Sequence, residues 1–203
     1  MGIFGNKRQN DTGFTIIELI VVIVVISILA AIVLVAYPGY QMQARDNERK
    51  SDLSQVSTAL GSYAFQKNTF VGTGSGCGRG GNGNGWLNAG SANPGAGSYP
   101  RSIADCLQDV KALDSTTFVD PSGCIYGSGG TCGTSPSSVR AYMKATCTKG
   151  GAAITYVFTS LESQPRKDAE VDALCDNNSV TGFTLAEQKW GSLFGMNYYL
   201  VVK

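Results

Sequence analysis

The sequence predicts an α+β protein, with one very long amino-terminal helix packed on a small antiparallel β-sheet head. Three observations carry that reading. Residues 19–36 form an apolar run broken only by Ser27. Leu53, Val56, Leu60 and Tyr63 repeat the three-and-four spacing of one helical face, and residues 140–161 alternate in the manner of a β-hairpin. The two helical segments follow one another closely enough to form a single helix over residues 14–67. At about 1.5 Å per residue it would reach roughly 80 Å, far more than the diameter of a globular domain.

The chain opens on a short polar leader, residues 1–13, that carries Lys7, Arg8 and Asp11 and ends at Gly13-Phe14. An ordinary secretory signal is cleaved after its apolar stretch, whereas cleavage at Gly13 would keep that stretch on the mature chain. Residues 14–37 then form the predicted membrane helix. Its apolar run is long enough to cross a bilayer's hydrocarbon core, and the basic leader predicts an amino terminus on the cytoplasmic side. Glu18 stands four residues into this segment. A carboxylate there costs about 2.5–3.5 kcal/mol, and the run holds no basic residue to pair with it. One candidate partner is a new amino terminus created at Phe14. The alternative is a simple anchor whose glutamate sits near the interface, since four residues are only about 6 Å of helix.

The string Gly13-Phe14-Thr15-Ile16-Ile17-Glu18-Leu19-Ile20 resembles the class III signal of type IV pilins and pseudopilins. The resemblance implies that a prepilin peptidase cuts between Gly13 and Phe14 and that the new Phe14 amino group is methylated. It also implies that Glu18 neutralises the Phe14 amine of an adjacent subunit as the helix leaves lipid for a filament. A carboxylate in that role sets the axial register, because any other stagger buries a charge without a partner. A head-to-tail contact that does not close then grows into a filament. The implied partners are identical subunits, the prepilin peptidase, an inner-membrane assembly platform with its ATPase, and membrane lipid before assembly. The implied location is the cytoplasmic membrane, as a single-pass precursor, and then an extracellular filament at the cell surface. Residues 1–66 carry most of this resemblance. Tyr99-Pro100, Asp120-Pro121 and the hairpin pattern of residues 142–161 also look like a pilin head.

Where the apolar run gives way to polar residues stands Pro38-Gly39. Proline removes a backbone donor and clashes with the carbonyl of Leu34, and glycine weakens the next turn, so a kink is expected there. The alternative is that Pro38 ends the first helix and a second begins near Gln41. In the resembled family a proline in this region marks where the helix can unwind inside the filament. Residues 38–67 form the amphipathic half, with Arg45, Asp46, Glu48, Arg49, Lys50 and Asp52 crowding the turns that precede the apolar stripe.

Residues 68–203 are expected to form one head domain with a modest core. It begins with a loop, residues 72–98, holding eleven glycines. Composition alone makes it flexible coil, but Cys77 and Trp86 argue that it is pinned to the head. Residues 102–114 read as a short helix in which Ser102 and Asp105 resemble a capping box, with Ile103, Cys106, Leu107 and Val110 on one face. Residues 140–147 and 154–161 read as paired strands around a turn at 148–152, and residues 197–202 as a third strand. Between them, residues 164–190 suggest a turn at Asn177-Asn178 and a short helix about residues 185–190.

Six cysteines, Cys77, Cys106, Cys124, Cys132, Cys147 and Cys175, all lie in the part expected outside the cytoplasm. An even count there favours disulfides. Zinc is the weaker reading, because the chain has no Cys-x-x-Cys pair and no histidine. Fifteen pairings are open, and simple adjacency suggests Cys77 with Cys106, Cys124 with Cys132 and Cys147 with Cys175. The missing histidine also excludes Ser-His-Asp and Cys-His catalysis, and no phosphate-binding loop or paired-carboxylate motif stands out, so no enzyme is expected. Asp168, Glu170 and Asp172 read as a solvated loop, with a calcium site there as the weaker alternative and no other cofactor. Tyr126, Tyr142, Tyr156, Tyr198 and Tyr199 read as core or sheet-face residues.

Without Lys7, Arg8 and Asp11 the chain keeps 14 basic and 14 acidic residues, which gives no electrostatic case for nucleic acid. The expected function is a structural subunit of a type IV pilus filament serving adhesion, motility or DNA uptake. The alternatives are a pseudopilin of a type II secretion-like or competence system, and a membrane-tethered adhesin that never polymerises.

Overall fold

The computed structural model describes residues 13–72, 74–88, 100–113, 120–123, 142–176, 179–181, 183–185 and 188–202. The leader up to residue 12, most of the second half of the glycine-rich loop, Tyr126, the Asn177-Asn178 turn and the Cys124, Cys132 pair lie outside them. The chain divides into two compact units, Met1–Gln41 and Met42–Lys203. Helix α1 spans Ile16–Lys67 and carries Pro38 inside it, so the backbone is helical on both sides of the proline and the first helix does not end there.

In the first unit every described side chain is exposed. No internal packing holds this stretch helical. Its aliphatic residues instead leave each backbone group to its intrahelical partner, the arrangement that a lipid environment demands. Ser27 conforms to it, donating its hydroxyl to the Ile23 carbonyl at 2.6 Å.

The second unit is built on a four-stranded antiparallel sheet in the order β1 (Gly85–Trp86), β2 (Met143–Lys149), β3 (Ala152–Thr159), β4 (Tyr198–Val201). Lys149 pairs with Ala152, leaving a two-residue turn at Gly150 and Gly151, whose φ values of 58° and 85° are those a primed turn requires. The hairpin register starts later than the alternation suggests, at Met143 rather than residue 140. β1 comes from the glycine-rich loop, where no strand is expected from composition.

The sheet is covered on both faces. On one, Leu53, Val56, Ala59 and Leu60 of α1 pack with Val157, Leu107 of helix α2 (Ile103–Asp109), Leu87 and Val202. On the other, Met143, Ala145, Tyr156 and Phe158 meet Trp190, Phe194 and Val171 of helix α3 (Asp168–Asp172). Trp190 lies between Phe158 at 5.7 Å and Phe194 at 6.1 Å, with Phe183 edge-on at 5.2 Å, an arrangement of rings worth more than their buried area alone.

Two expectations are corrected. Helix α2 stops at Asp109 rather than running to residue 114, and Lys111 follows with φ 55°, a left-handed residue that ends a helix. Asp168, Glu170 and Asp172 form α3 instead of a solvated loop, and Asp172 accepts from the Gly191 and Ser192 backbone N–H groups. The short helix expected about residues 185–190 lies partly outside the described residues; within them the Gln188 N–H bonds to the Thr184 carbonyl and residues 190–194 form turns.

Candidate functional site

At the start of α1 the residues Gly13, Phe14 and Thr15 precede the helix. Thr15 occupies the cap position and Glu18 the third helical position. Glu18 Oε2 accepts from the Thr15 N–H and from the Thr15 hydroxyl, both at 2.7 Å, while Glu18 N–H donates to Thr15 Oγ1 at 3.3 Å. This is a reciprocal capping box, which satisfies amide donors at an end of the helix that otherwise has no acceptors. It places the Gly13-Phe14 bond on non-helical backbone, beyond the last capped residue. The Thr15-x-x-Glu18 spacing carried this signal in the sequence. A reading of Glu18 as an unpartnered charge passes over it.

Glu18 sits at the head of a wholly exposed apolar surface. Phe14 is 91% exposed and Val35 84%. Among the described residues α1 is the one helix long and apolar enough to cross a membrane. A contiguous apolar surface of that extent marks a lipid or protein interface. Further along, Pro38 lacks the amide that would reach Leu34, and open space surrounds the position a Cβ would take on Gly39.

Within the second unit the polar part of α1 is the site that the sequence did not reveal. Arg49 is fully buried. Its Nε and Nη2 donate to the two oxygens of Asp120 at 2.6 and 2.8 Å, and its Nη1 reaches Asp46 and Glu162, both at 2.8 Å. Burial alone would lower the Arg49 pKa, but the surrounding carboxylates overcome it and hold it above the usual value. Asp46 is also buried and accepts from the Glu162 and Ser163 N–H groups at 2.8 and 2.7 Å and from the Ser163 hydroxyl. Burial raises its pKa, yet the Ser163 and Glu162 donors with Arg49 bring it below the ordinary range. Arg45 forks onto Glu162 at 2.8 and 2.7 Å. The turn at Asp120-Pro121 thus supplies the main anion for a buried guanidinium, and the Ser122 N–H and hydroxyl both donate to Asp120.

One turn on, Asp52 accepts from the Tyr142 hydroxyl at 2.5 Å, and burial raises the pKa of both groups. The sequence shows these charges only as a cluster on α1. Nothing in their spacing says which face the head covers.

Cys77 bonds to Cys106 and Cys147 to Cys175, with Cα separations of 6.4 and 5.6 Å. The first joins the glycine-rich loop to α2 and the second joins β2 to the segment after α3. Each of the two cores therefore contains one crosslink. Among the described residues no group of three or more His, Cys, Asp or Glu side chains could hold a metal ion.

A family model described as the prokaryotic N-terminal methylation motif matches residues 8–34. The type II secretion system core protein G of Aeromonas hydrophila is 30% identical over 99 residues, which cover 49% of this chain and 62% of that protein. The type IV major pilin protein PilA of Myxococcus xanthus is 36% identical over 63 residues, 31% of this chain and 29% of that one. The type IV major fimbrial protein FimA of Dichelobacter nodosus is 32% identical over 114 residues, 54% of this chain and 68% of that one. The chain thus spans less than two thirds of the length of the first two relatives and just over two thirds of the third. No solved structure matches.

Proposed function

Since this chain belongs to the type IV pilin and pseudopilin family, we propose that it is a pilin proper, cut between Gly13 and Phe14, methylated on Phe14 and polymerised into an extracellular pilus. The observation that carries the proposal is the placement of Glu18, a carboxylate at the entrance of an exposed apolar helix and one turn from the scissile bond. In a filament that helix is removed from both lipid and water, and a buried carboxylate there requires a cation. The Phe14 amine of a neighbouring subunit supplies one. Thr15 holds Glu18 meanwhile. In this reading the role is structural rather than catalytic, and the partners are the prepilin peptidase, the membrane assembly platform with its ATPase, lipid and further copies of the same chain. Pro38 and Gly39 would provide a kink.

A pilus is favoured over a secretion pseudopilin because the head is elaborate. Two disulfides among the described residues, one of them tying the glycine-rich loop to α2, stabilise a surface that a short filament confined within the cell envelope has less need to harden. The test is amino-terminal sequencing and intact mass, without reductant, of protein sheared from the cell surface. The expected result is a chain that begins at methylated Phe14 on long filaments. Recovery of Met1 in the membrane fraction despite an active peptidase would leave a tethered adhesin, and filaments that never leave the envelope would indicate a pseudopilin. Glu18→Ala is expected to leave the membrane pool of processed protein intact while surface filaments disappear, as seen by shearing and electron microscopy.

A further inference from the structure

Among the described residues the buried charged side chains are Asp46, Arg49, Asp120 and Lys144. The first three belong to one network of opposite charges, and Lys144 stands apart from it. Its Nζ donates to the Val71 carbonyl at 2.8 Å, the Gly83 carbonyl at 2.6 Å and Thr146 Oγ1 at 2.9 Å, with Asn84 Oδ1 at 3.4 Å. Four oxygens around one nitrogen suit an ammonium, because a neutral amine would turn its lone pair on one of them. All four are neutral, and among the described residues no carboxylate bonds to this cation. Burial works against the charge, and a buried charge is ordinarily paired.

Beside Lys144 lies a cavity of about 160 Å³, lined by Asn82, Asn84, Thr146, Thr148, Ser179 and Thr181 with smaller uncharged neighbours. Asn84 and Thr146 also touch Nζ, so one layer of hydrogen bonds separates the cavity from the charge. Both side chains have hydrogens to offer. Asn84 Oδ1 accepts the Thr146 N–H at 2.7 Å, and Nδ2 gives one hydrogen to the Thr181 carbonyl at 3.3 Å, while a carboxamide carries two. Thr146 Oγ1 lies 2.9 Å from Thr155 Oγ1. With Thr155 as the donor there, the Thr146 hydrogen is free, and accepting from an ammonium strengthens that hydroxyl as a donor.

We propose that this cavity binds a small monovalent anion, a halide or a single carboxylate, as the counter-ion of Lys144. Neutral donors backed by a cation, with no carboxylate in the lining, select negative charge. A metal ion would meet a like charge, and a neutral polyol would leave the ammonium uncompensated. The volume is below the roughly 300–1,000 Å³ of sites for larger organic ligands. Val71, Gly83 and Asn84 all come from the loop at residues 71–84, so the bound anion fastens that loop against β2.

Thermal unfolding of the mature full-length chain in detergent micelles at about pH 6, followed by tryptophan fluorescence, tests this. Sodium chloride or sodium formate is titrated at constant ionic strength, the balance being a bulky sulfonate too large for the cavity. The midpoint is expected to rise by about 3–6 °C and to saturate. A rise with chloride alone assigns a halide site, and a rise with formate assigns a site for carboxylates. Lys144→Met and Thr146→Val should each abolish the saturable rise. A wild-type midpoint that responds to neither salt beyond the sulfonate, or an undiminished rise in Thr146→Val, would overturn the proposal. Should Lys144→Met fail to fold, Thr146→Val still decides, since it keeps the charge and removes the hydroxyl.

Discussion

Arg49 shows how much one side chain determines. A guanidinium without water survives only if its donors all find acceptors, and here Asp120, Asp46 and Glu162 provide them. Removing one member strands the rest. Asp120→Ala is expected to destabilise the second unit by about 3–5 kcal/mol, because it leaves Arg49 buried and under-neutralised. The double variant Arg49→Met, Asp120→Ala should recover part of that loss, which a double-mutant cycle of denaturation midpoints would measure. Asp46 adds a pH dependence. Its folded pKa lies below the unfolded one, so the stability it contributes is complete above the unfolded value of about 3.9 and disappears as pH falls through the folded value. Asp46→Asn should flatten that acidic limb in thermal melts below pH 4. Asp52 works in the opposite sense, since its pKa is raised. Thr15 controls a smaller quantity, the first turn of α1. Thr15→Val is expected to cost about 1 kcal/mol of local helix stability, visible as faster amide exchange at residues 16–18.

Among the elements, the glycine-rich loop is the one whose composition misleads most. Eleven glycines suggest mobility, but in the part described two of them are a steric requirement. Gly78 and Gly83 have left-handed backbones and no room for a Cβ. Gly123 also has a positive φ, 80°, but nothing lies within 4 Å of the site a Cβ would take. Gly83→Ala is therefore expected to destabilise the fold by well over the roughly 1 kcal/mol that the backbone conformation alone costs at Gly123→Ala. Paired denaturation curves would show the difference. Helix α2 is the contrasting case. Its Ser102 and Asp105 form the capping box read from the sequence, because that motif is complete within four residues and needs nothing from the rest of the chain.

For the whole molecule, the two units follow different rules. The second buries two cores and holds each with a crosslink, so loss of either disulfide should cost about 2–5 kcal/mol. Cys147→Ser, Cys175→Ser and Cys77→Ser, Cys106→Ser double variants, compared by thermal unfolding, would establish whether both cores contribute. Among its described residues the first unit buries no apolar side chain within the chain, and so that helix is stable only where lipid or other copies cover it. A filament subunit needs that division between a self-sufficient head and a helix completed by its neighbours. Expression of the second unit alone should therefore give a soluble, folded domain, with aggregation appearing once residues 14–41 are restored without detergent.

What the sequence determined by itself is whatever depends on residues close along the chain. The long helix, its apolar half, the Gly13-Phe14 junction with Glu18, the α2 cap and the hairpin turn at Gly150-Gly151 are all set by local spacing, because helix, cap and turn are short-range geometries. Tertiary structure alone decided which charges are buried. Asp46 and Lys144 look like solvated polar residues on alternating or crowded faces, and only the approach of residues 162–163 to one, and of the loop at residues 71–84 to the other, removes them from water. Those contacts join residues 60 to 117 positions apart. Desolvation is a property of the packed surroundings, which a side chain acquires only when distant segments close over it.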